Sequence, residues 1–384
     1  MPQQTKVDVA LSCPVPIAAT ESILLGHGSG GRMSAKLLRE ILLPALQNPV
    51  LDRLDDQAIV DVGGSRIAFT TDTFVVKPLF FPGGDIGTLA VNGTVNDLAM
   101  GGAKPLFLSL ALILEEGLPI DTLRRVMESI RVASALAGVV VVTGDTKVVE
   151  KGSGDGLFVN TSGIGLVSSG VRLSVDRACP GDLVLLSGTI GDHGITILSQ
   201  REGLEFESAV HSDTAALHGL VAEMLRASGA IHCLRDPTRG GLSSSLNEIA
   251  ERSNVSIELQ ECAIPIRDEV QGACEMLGLD PLYVANEGKL VAVVEPAAAE
   301  SILEAMHQHP LGREAKIIGS VTDSHRGMVT LRTRLGTSRI VDLLSGDQLP
   351  RICRGPGDAR DRYCQFGAGC GSRGKTALPG RPHL

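Results

Sequence analysis

Apolar positions along the chain alternate between helical spacing and short unbroken runs, and this sorts the sequence into elements. In "LLGHGSGGRMSAKLLREILLPAL", Met33, Leu37, Leu38, Ile41 and Leu42 fall at helical spacing. That predicts an amphipathic helix entered from a glycine-rich loop, with Ser34 as a cap near its start. Residues 66–76, "RIAFTTDTFVV", have the β-branched and aromatic content of a strand. "DIGTLAVNGTVNDLAM" reads as a helix capped by Asp85, and "LFLSLALIL" as a buried strand. Residues 121–137 form an amphipathic helix stopped by Gly138; "VVVVTGD" and "GLFVNTSGIGLV" add two strands. A second unit opens near "CPGDLVLLSGTIGDHGITIL", with helices near 213–227, 242–252 and 267–277 and strands at 255–259, 289–294, 315–321 and 327–334.

This alternation predicts an α/β (α+β) protein of two mixed domains. The divisions run 1–44 for an N-terminal segment with loop and helix, 45–168 and 172–335 for the domains, and 336–353 for a mobile tail pivoting at Gly346 and Pro350. From Arg354 to Leu384, Gly, Arg, Pro and Asp dominate and apolar periodicity ends, which predicts a disordered extension.

Composition narrows the function classes. Apolar residues make up 43% of the 384, with no Trp and two Tyr, so the cores rest on Val, Leu, Ile and Ala. A net charge of −9 without a basic face excludes nucleic acid as the main partner. No run approaches the roughly 18 apolar residues of a membrane span. Residues 7–19 hold Asp8, Pro14 and Pro16 and lack the charge-then-apolar order of a signal peptide. Eight cysteines without a CxxC pair fit a reducing cytoplasm.

Asp56 (beside Asp55), Asp72, Asp97 and Asp145 stand where predicted strands or helices end. Asp beside Gly or Asn also forms turns, but repeated placement next to buried strands points to converging carboxylates that bind Mg²⁺. Gly28, Gly30 and Gly31 let backbone N–H groups approach a phosphate at a helix start, although flexibility alone also explains such a loop. Lys147, in "TGDTK", is placed to stabilise charge in phosphoryl transfer. Asp236 and Thr238 precede Gly240 and Gly241 at a second helix start, another place for anion binding. Glu287, in "NEG", is either a turn residue or a desolvated general base.

"GHGSGG", "TTDTFVV", "PLFFPGGDIG", "VNGTVNDLAM", "ILEEGLP", "VTGDTKVVE", "GTIGDHG", "RDPTRGGL", "VANEGK" and "PRIC" together span residues 26 to 353. In these strings the chain resembles the hydrogenase-maturation carbamoyl dehydratases, the HypE family. That family lies in the PurM-like superfamily, with aminoimidazole ribonucleotide synthetase and selenophosphate synthetase.

The resemblance implies two PurM-like α/β domains, the first binding ATP and pairing across a homodimer. It also implies a carbamoyl group carried on the sulfur of Cys353, placed there by the carbamoyltransferase HypF. ATP and Mg²⁺ drive its dehydration to a thiocyanate, and the cyanide passes to a HypC–HypD scaffold for the iron of [NiFe]-hydrogenase. Under the resemblance, Asp56, Asp72, Asp97 and Asp145 hold Mg²⁺–ATP, the loop at Gly28, Gly30 and Gly31 closes over phosphate, and Lys147 steadies the phosphoryl group. Glu287 deprotonates the amide nitrogen, and His193 is the second choice for that role.

Two rivals stand beside this reading. A selenophosphate synthetase keeps a reactive Cys or selenocysteine in the glycine-rich loop, where this chain has His27 and Ser29. A non-catalytic nucleotide-binding scaffold inactivated by its extension is the other. Family chains end at the cysteine, whereas this one continues through "RGPGDARDRYCQFGAGCGSRGKTALPGRPHL". Read-through of the gene end, cleavage before function and a tolerated appendage are the explanations, and the composition favours the first.

Overall fold

The structure, a computed structural model, describes residues 22–203, 210–344 and 346. Cys353, Pro350 and the 354–384 extension lie outside the described residues.

The first domain is a five-stranded sheet in the order β1-β2-β7-β5-β6. Its strands are β1 (Ala58–Val62), β2 (Ser65–Phe74), β5 (Ala103–Glu115), β6 (Val140–Val149) and β7 (Leu157–Val167). A small hairpin, β3 (Phe80–Phe81) with β4 (Gly84–Asp85), leads into α3 (Ile86–Met100). The N-terminal helical stretch comprises α1 (Arg32–Leu37), a π turn over Leu38–Leu42 and α2 (Leu43–Leu46).

Asp85 caps α3 as the sequence predicts. Its Oδ1 accepts from the N–H groups of Gly87 (2.8 Å) and Thr88 (2.9 Å), while Thr88 Oγ1 accepts from Asp85 N at 2.8 Å. Two donors that a helix start leaves orphaned are thereby satisfied. α3 is buried on all sides except at Thr88 and Asp97. One side lies on β2, β5 and β7, another on α4 (Ile120–Ala137), and a third meets the second domain. Such packing demands small residues: a Cβ on Gly93 would stand 2.7 Å from the Phe74 ring.

The second domain is a seven-stranded sheet ordered β14-β13-β10-β12-β8-β11-β9. It contains β8 (Leu183–Leu186), β9 (Ile231–Arg235), β10 (Ser256–Gln260), β11 (Val291–Val294), β12 (Lys316–Thr322), β13 (Val329–Arg332) and β14 (Ser338–Val341). The helices are α5 (Asp192–Glu202), α6 (His218–Ala227), α7 (Gly241–Arg252), α8 (Asp268–Leu277) and α9 (Pro296–Gln308). All of β11 is buried, because alternate side chains enter two cores. Val291 and Val293 join Leu242, Leu246 and Ile249 of α7; Ala292 and Val294 join Met224 of α6 and Ile302 of α9.

Three expectations shift, and two helices stand where the sequence reading had none. The N-cap of α1 is Gly31, and Ser34 serves that start by accepting from Gly30 N at 3.0 Å. Helix α6 begins at His218 rather than near 213, because the preceding backbone is engaged by the first domain: Leu217 N donates to Asn96 Oδ1 at 2.8 Å. Helices α5 and α9 carry no expectation in the sequence reading, although Asp192 and Pro296 stand in their first turns. Residues 336–344 are no free tail. β14 pairs with β13, Asn247 Nδ2 donates to Val341 O (2.9 Å), Ser243 Oγ donates to Asp342 O (2.8 Å), and Arg32 N donates to Leu344 O (2.8 Å).

Candidate active site

Three carboxylates meet where the domains abut. Asp56 precedes β1, Asp97 lies in the last turn of α3, and Asp236 follows β9. One carboxylate oxygen from each lies within 4.8 Å of the others. The Thr70 hydroxyl, on the α3-facing side of β2, lies 2.9 Å from Asp97 Oδ2 and 3.0 Å from the Asp56 carbonyl. The part-buried Arg235 guanidinium braces the group, with Nε 3.1 Å from Asp56 Oδ1 and its other arm on Glu248.

Burial pushes the Asp56 carboxyl well above the usual range; Arg235 opposes this, and Asp236 and Glu248 add to it. Asp97 is raised likewise, by burial and then by Asp236, Asp56 and Asp72. Asp236 is raised to about 6, with burial again the largest cause and Arg235 opposing. Asp72 is raised by burial, with Arg239 opposing.

So many half-desolvated carboxylates against so little positive charge is unfavourable unless protons or a cation neutralise them. The donor set is oxygen only, which fits Mg²⁺. Asp56, Asp97 and Asp236 would hold it, with Asp72 beside them. Raised carboxyls stabilise the fold at low pH and lose that contribution as pH climbs through the folded value. Without a divalent cation, stability therefore falls as pH rises from about 4 through 6. Added Mg²⁺ is expected to raise Tm more at pH 7 than at pH 5 and to release protons near pH 6. Melting curves with Mg²⁺ or EDTA across that range check this; an increment independent of pH counts against the cluster as the ion site.

Glu287 comes to the same place on a loop held from several directions. Its N–H donates to Asp213 Oδ1 (3.1 Å), and its carbonyl accepts from Asn96 Nδ2 (3.2 Å) on α3. Lys289 Nζ stands 3.3 Å from the other Asp213 oxygen. Gly288 is required, since a Cβ there would lie 1.8 Å from Asp213 O. Asn286, wholly buried, accepts from Gly191 N at 2.7 Å and donates to Pro237 O at 2.8 Å, tying the loop to the residue after Asp236. Burial, then Asp236, Asp213 and Asp72, raise the Glu287 carboxyl well above its ordinary value, while Arg239 opposes. A carboxyl raised by neighbouring anions is a strong proton acceptor, and a cation that neutralises those neighbours lowers its proton affinity and so favours the ionised form that can accept a proton.

The glycine-rich loop lies alongside. Gly30 has φ +77°, and a Cβ there would stand 2.6 Å from Arg239 O; one on Gly31 would stand 2.2 Å from Leu344 O. Ser244 Oγ of α7 donates to Gly30 O at 2.9 Å. Close packing against protein backbone thus accounts for Gly30 and Gly31, whereas Gly28 has open space around it.

Asp145 and Lys147 do not reach the cluster within one copy of the chain. Register places Asp145 in a row with Ala111, Asn160 and Thr73, three strand spacings or about 14 Å from β2. Its side chain is on the outer face with Thr73, whereas Asp72 takes the inner face toward α3. Asp145 and Lys147 pair with each other at 2.8 Å. His193 is also absent from the cluster. It is buried in α5 with Nδ1 2.8 Å from Ser212 Oγ and the Phe81 ring edge-on at 5.6 Å. Burial lowers its pKa to about 4, so it is a neutral residue that anchors the segment before α6.

Sequence reasoning missed Asn96, Asp213, Arg235 and Arg239. Asn96 directly precedes Asp97, and Arg235 and Arg239 flank Asp236. Asp213 fell inside an expected helix.

Comparison with known proteins agrees with this architecture. Residues 54–167 match the family model "AIR synthase related protein, N-terminal domain", and residues 179–332 match its C-terminal counterpart. The chain is 57% identical over 332 residues to the carbamoyl dehydratase HypE of Azotobacter vinelandii, covering 86% of this chain and 97% of that one. It is similar to HypE in a crystallised HypE–HypF complex (TM-score 0.77, 51% identity, 80% of this chain and 99% of that one). It is also similar to HypE crystallised with ATP (TM-score 0.72, 49% identity, 86% of this chain and 100% of that one).

Proposed function

The chain belongs to the AIR-synthase-related family and, within it, to the HypE carbamoyl dehydratases, and from that premise we propose that it converts a carbamoyl group on the sulfur of Cys353 into a thiocyanate. ATP with Mg²⁺ supplies the phosphoryl group that turns the amide oxygen, a poor leaving group, into phosphate. The C–O bond breaks, both N–H protons are lost, and S–C≡N, ADP and phosphate result. The chain's own groups orient the amide, exclude water and take a proton; Glu287 Oε is the acceptor.

The observation that carries this reading is where the main chain runs at Leu344. Its carbonyl is bonded to Arg32 N beside the glycine-rich loop, which packs on the turn three residues past Asp236. Cys353 is nine residues beyond Leu344, a reach of at most about 30 Å, which supports delivery of its sulfur to Glu287.

The outer face of the first sheet supports a homodimer. Phe69, Phe107, Ile113, Ile164 and Leu166 are each 41–45% exposed on neighbouring strands, and a second copy would cover them. Asp145 and Lys147 share that face, so the pairing is what would bring them into a site. HypF is the donor of the carbamoyl group in this reading, HypC–HypD the acceptor of the cyanide, and the cytoplasm the compartment. No helix among the described residues is long and apolar enough to cross a membrane.

The test is mass spectrometry of the Cys353 peptide after carbamoylation and incubation with Mg²⁺–ATP, in the full chain and in one ending at Cys353. Loss of one water from the peptide, about 18 Da, with matching ADP release is the expected result. A carbamoyl peptide unchanged in both chains despite bound ATP overturns it. Greater turnover by the shortened chain would assign an obstructive effect to the residues after Cys353.

A further inference from the structure

A second group of metal-binding side chains lies at the other end of β9 from Asp236. Asp236 and His232 are four residues apart on an extended chain, about 13 Å. There Cys179, Asp182 and His232 present ligand atoms within 4.8 Å of one another. Asp182 immediately precedes β8, His232 lies in β9, and Glu295 immediately follows β11; these three strands are neighbours in the order β8-β11-β9. The rim is therefore a rigid part of the sheet, with Cys179 exposed beside it.

The His232 ring is fixed from both sides. Nδ1 is 2.7 Å from Asp182 Oδ2, and Nε2 is 3.3 Å from Glu295 Oε1. Asp182 Oδ2 also accepts Cys179 N at 2.7 Å, which holds the thiol's backbone against the carboxylate. A carboxylate on one imidazole nitrogen orients the ring and raises the basicity of the other, the usual support of a metal-binding histidine. Ligand separations in a tetrahedral zinc site are about 3.3–3.8 Å, from bonds of about 2.0–2.3 Å. His232 Nδ1 and Asp182 Oδ2, now hydrogen-bonded at 2.7 Å, would separate by about half an ångström or more as an ion replaces the shared proton, and the exposed Cys179 side chain would turn toward them. Sulfur and nitrogen donors favour a borderline or soft ion and disfavour Mg²⁺, so this chemistry is separate from that of the oxygen-only cluster.

We propose that Cys179, Asp182 and the Nδ1 of His232 bind one divalent transition metal ion of the zinc type, with Glu295 orienting the ring through Nε2. The thiol of Cys179 gives up its proton to solvent and binds as the thiolate, and the ion ties the segment before β8 to the rim of the sheet.

The probe is Co²⁺, which reports thiolate ligation by a charge-transfer band in the near ultraviolet, added to the full-length protein with Mg²⁺–ATP saturating the carboxylate cluster. One equivalent with that band is expected, displaced by Zn²⁺. In Cys179→Ser the band disappears, and in His232→Gln affinity falls by 10-fold or more. Cys353→Ala retains the band. Cys179 is exposed, so its serine variant keeps its fold, checked by an unchanged melting temperature in the metal-free state. Absence of a thiolate band in the unaltered protein, or its persistence in Cys179→Ser, overturns the proposal.

Discussion

Replacing Cys353 with alanine is expected to abolish thiocyanate formation while leaving Mg²⁺–ATP binding intact. The two halves of this result come from different parts of the molecule. In the proposed reading, nucleotide binding rests on Asp56, Asp97 and Asp236, which stand before β1, in the last turn of α3 and after β9. The carbamoyl group, in contrast, is carried in this reading by Cys353, and the cysteines among the described residues are poor alternatives. Cys233 and Cys274 are buried, and burial holds their thiols far from ionisation, Cys274 at about 12. Cys179 and Cys262 are exposed, but they lie within the folded second domain, Cys179 ahead of β8 and Cys262 just past β10. Loss of product should therefore be complete, beyond the detection limit of the peptide assay. A thiocyanate peptide recovered from the Cys353→Ala chain would remove the carrier assignment outright.

Glu287→Gln should have the next largest effect. The amide keeps the side chain's shape, and the loop is held through backbone atoms and Asn286, so geometry survives. What disappears is a proton acceptor, a change worth roughly 10²–10⁴-fold in the chemical step. ATP binding should stay near normal. The pH profile separates this from a merely structural defect. The Glu287 carboxyl is raised by burial and by Asp236, so turnover in the unaltered enzyme rises with pH as that group loses its proton. The Gln variant should be slow and lack the rise. Turnover equal to the parent at pH 7 would take Glu287 out of the mechanism.

Much of this was legible because local rules and the fold agree. Asp85 before an apolar run is a helix start in isolation and in the folded chain alike. Asp56 and Asp97 were readable as converging carboxylates, whereas Asp236 was read with Gly240 and Gly241 as an anion-binding helix start, and nothing local says that a helix end, a strand end and a pre-strand loop converge. Asp145 shows the limit. Its motif looks like that of Asp72, but the order β2-β7-β5-β6 and the two-residue period of a strand put it three strands away and on the other face. Both facts are non-local. Asp213 was hidden for a similar reason: polar residues with helical spacing lie stretched out here because Asn96 engages the backbone at Ala215 and Leu217. The pairing of residues 338–341 at the start of the expected tail was missed because β14 is short and its partner, β13, is set by tertiary context.

The burial of α3 has a thermodynamic side. The helix belongs to both domains: its side chains complete the first core, while Ala99 and Met100 enter the core of the second with Leu217 and Leu220. Melting either domain would strip a face of α3 and strand Asn92 and Asn96, whose amides now bond Thr214 Oγ1 and the Ala215 carbonyl. Two domains sharing an interior helix have no inexpensive half-unfolded state, so heat should meet them as a single cooperative unit.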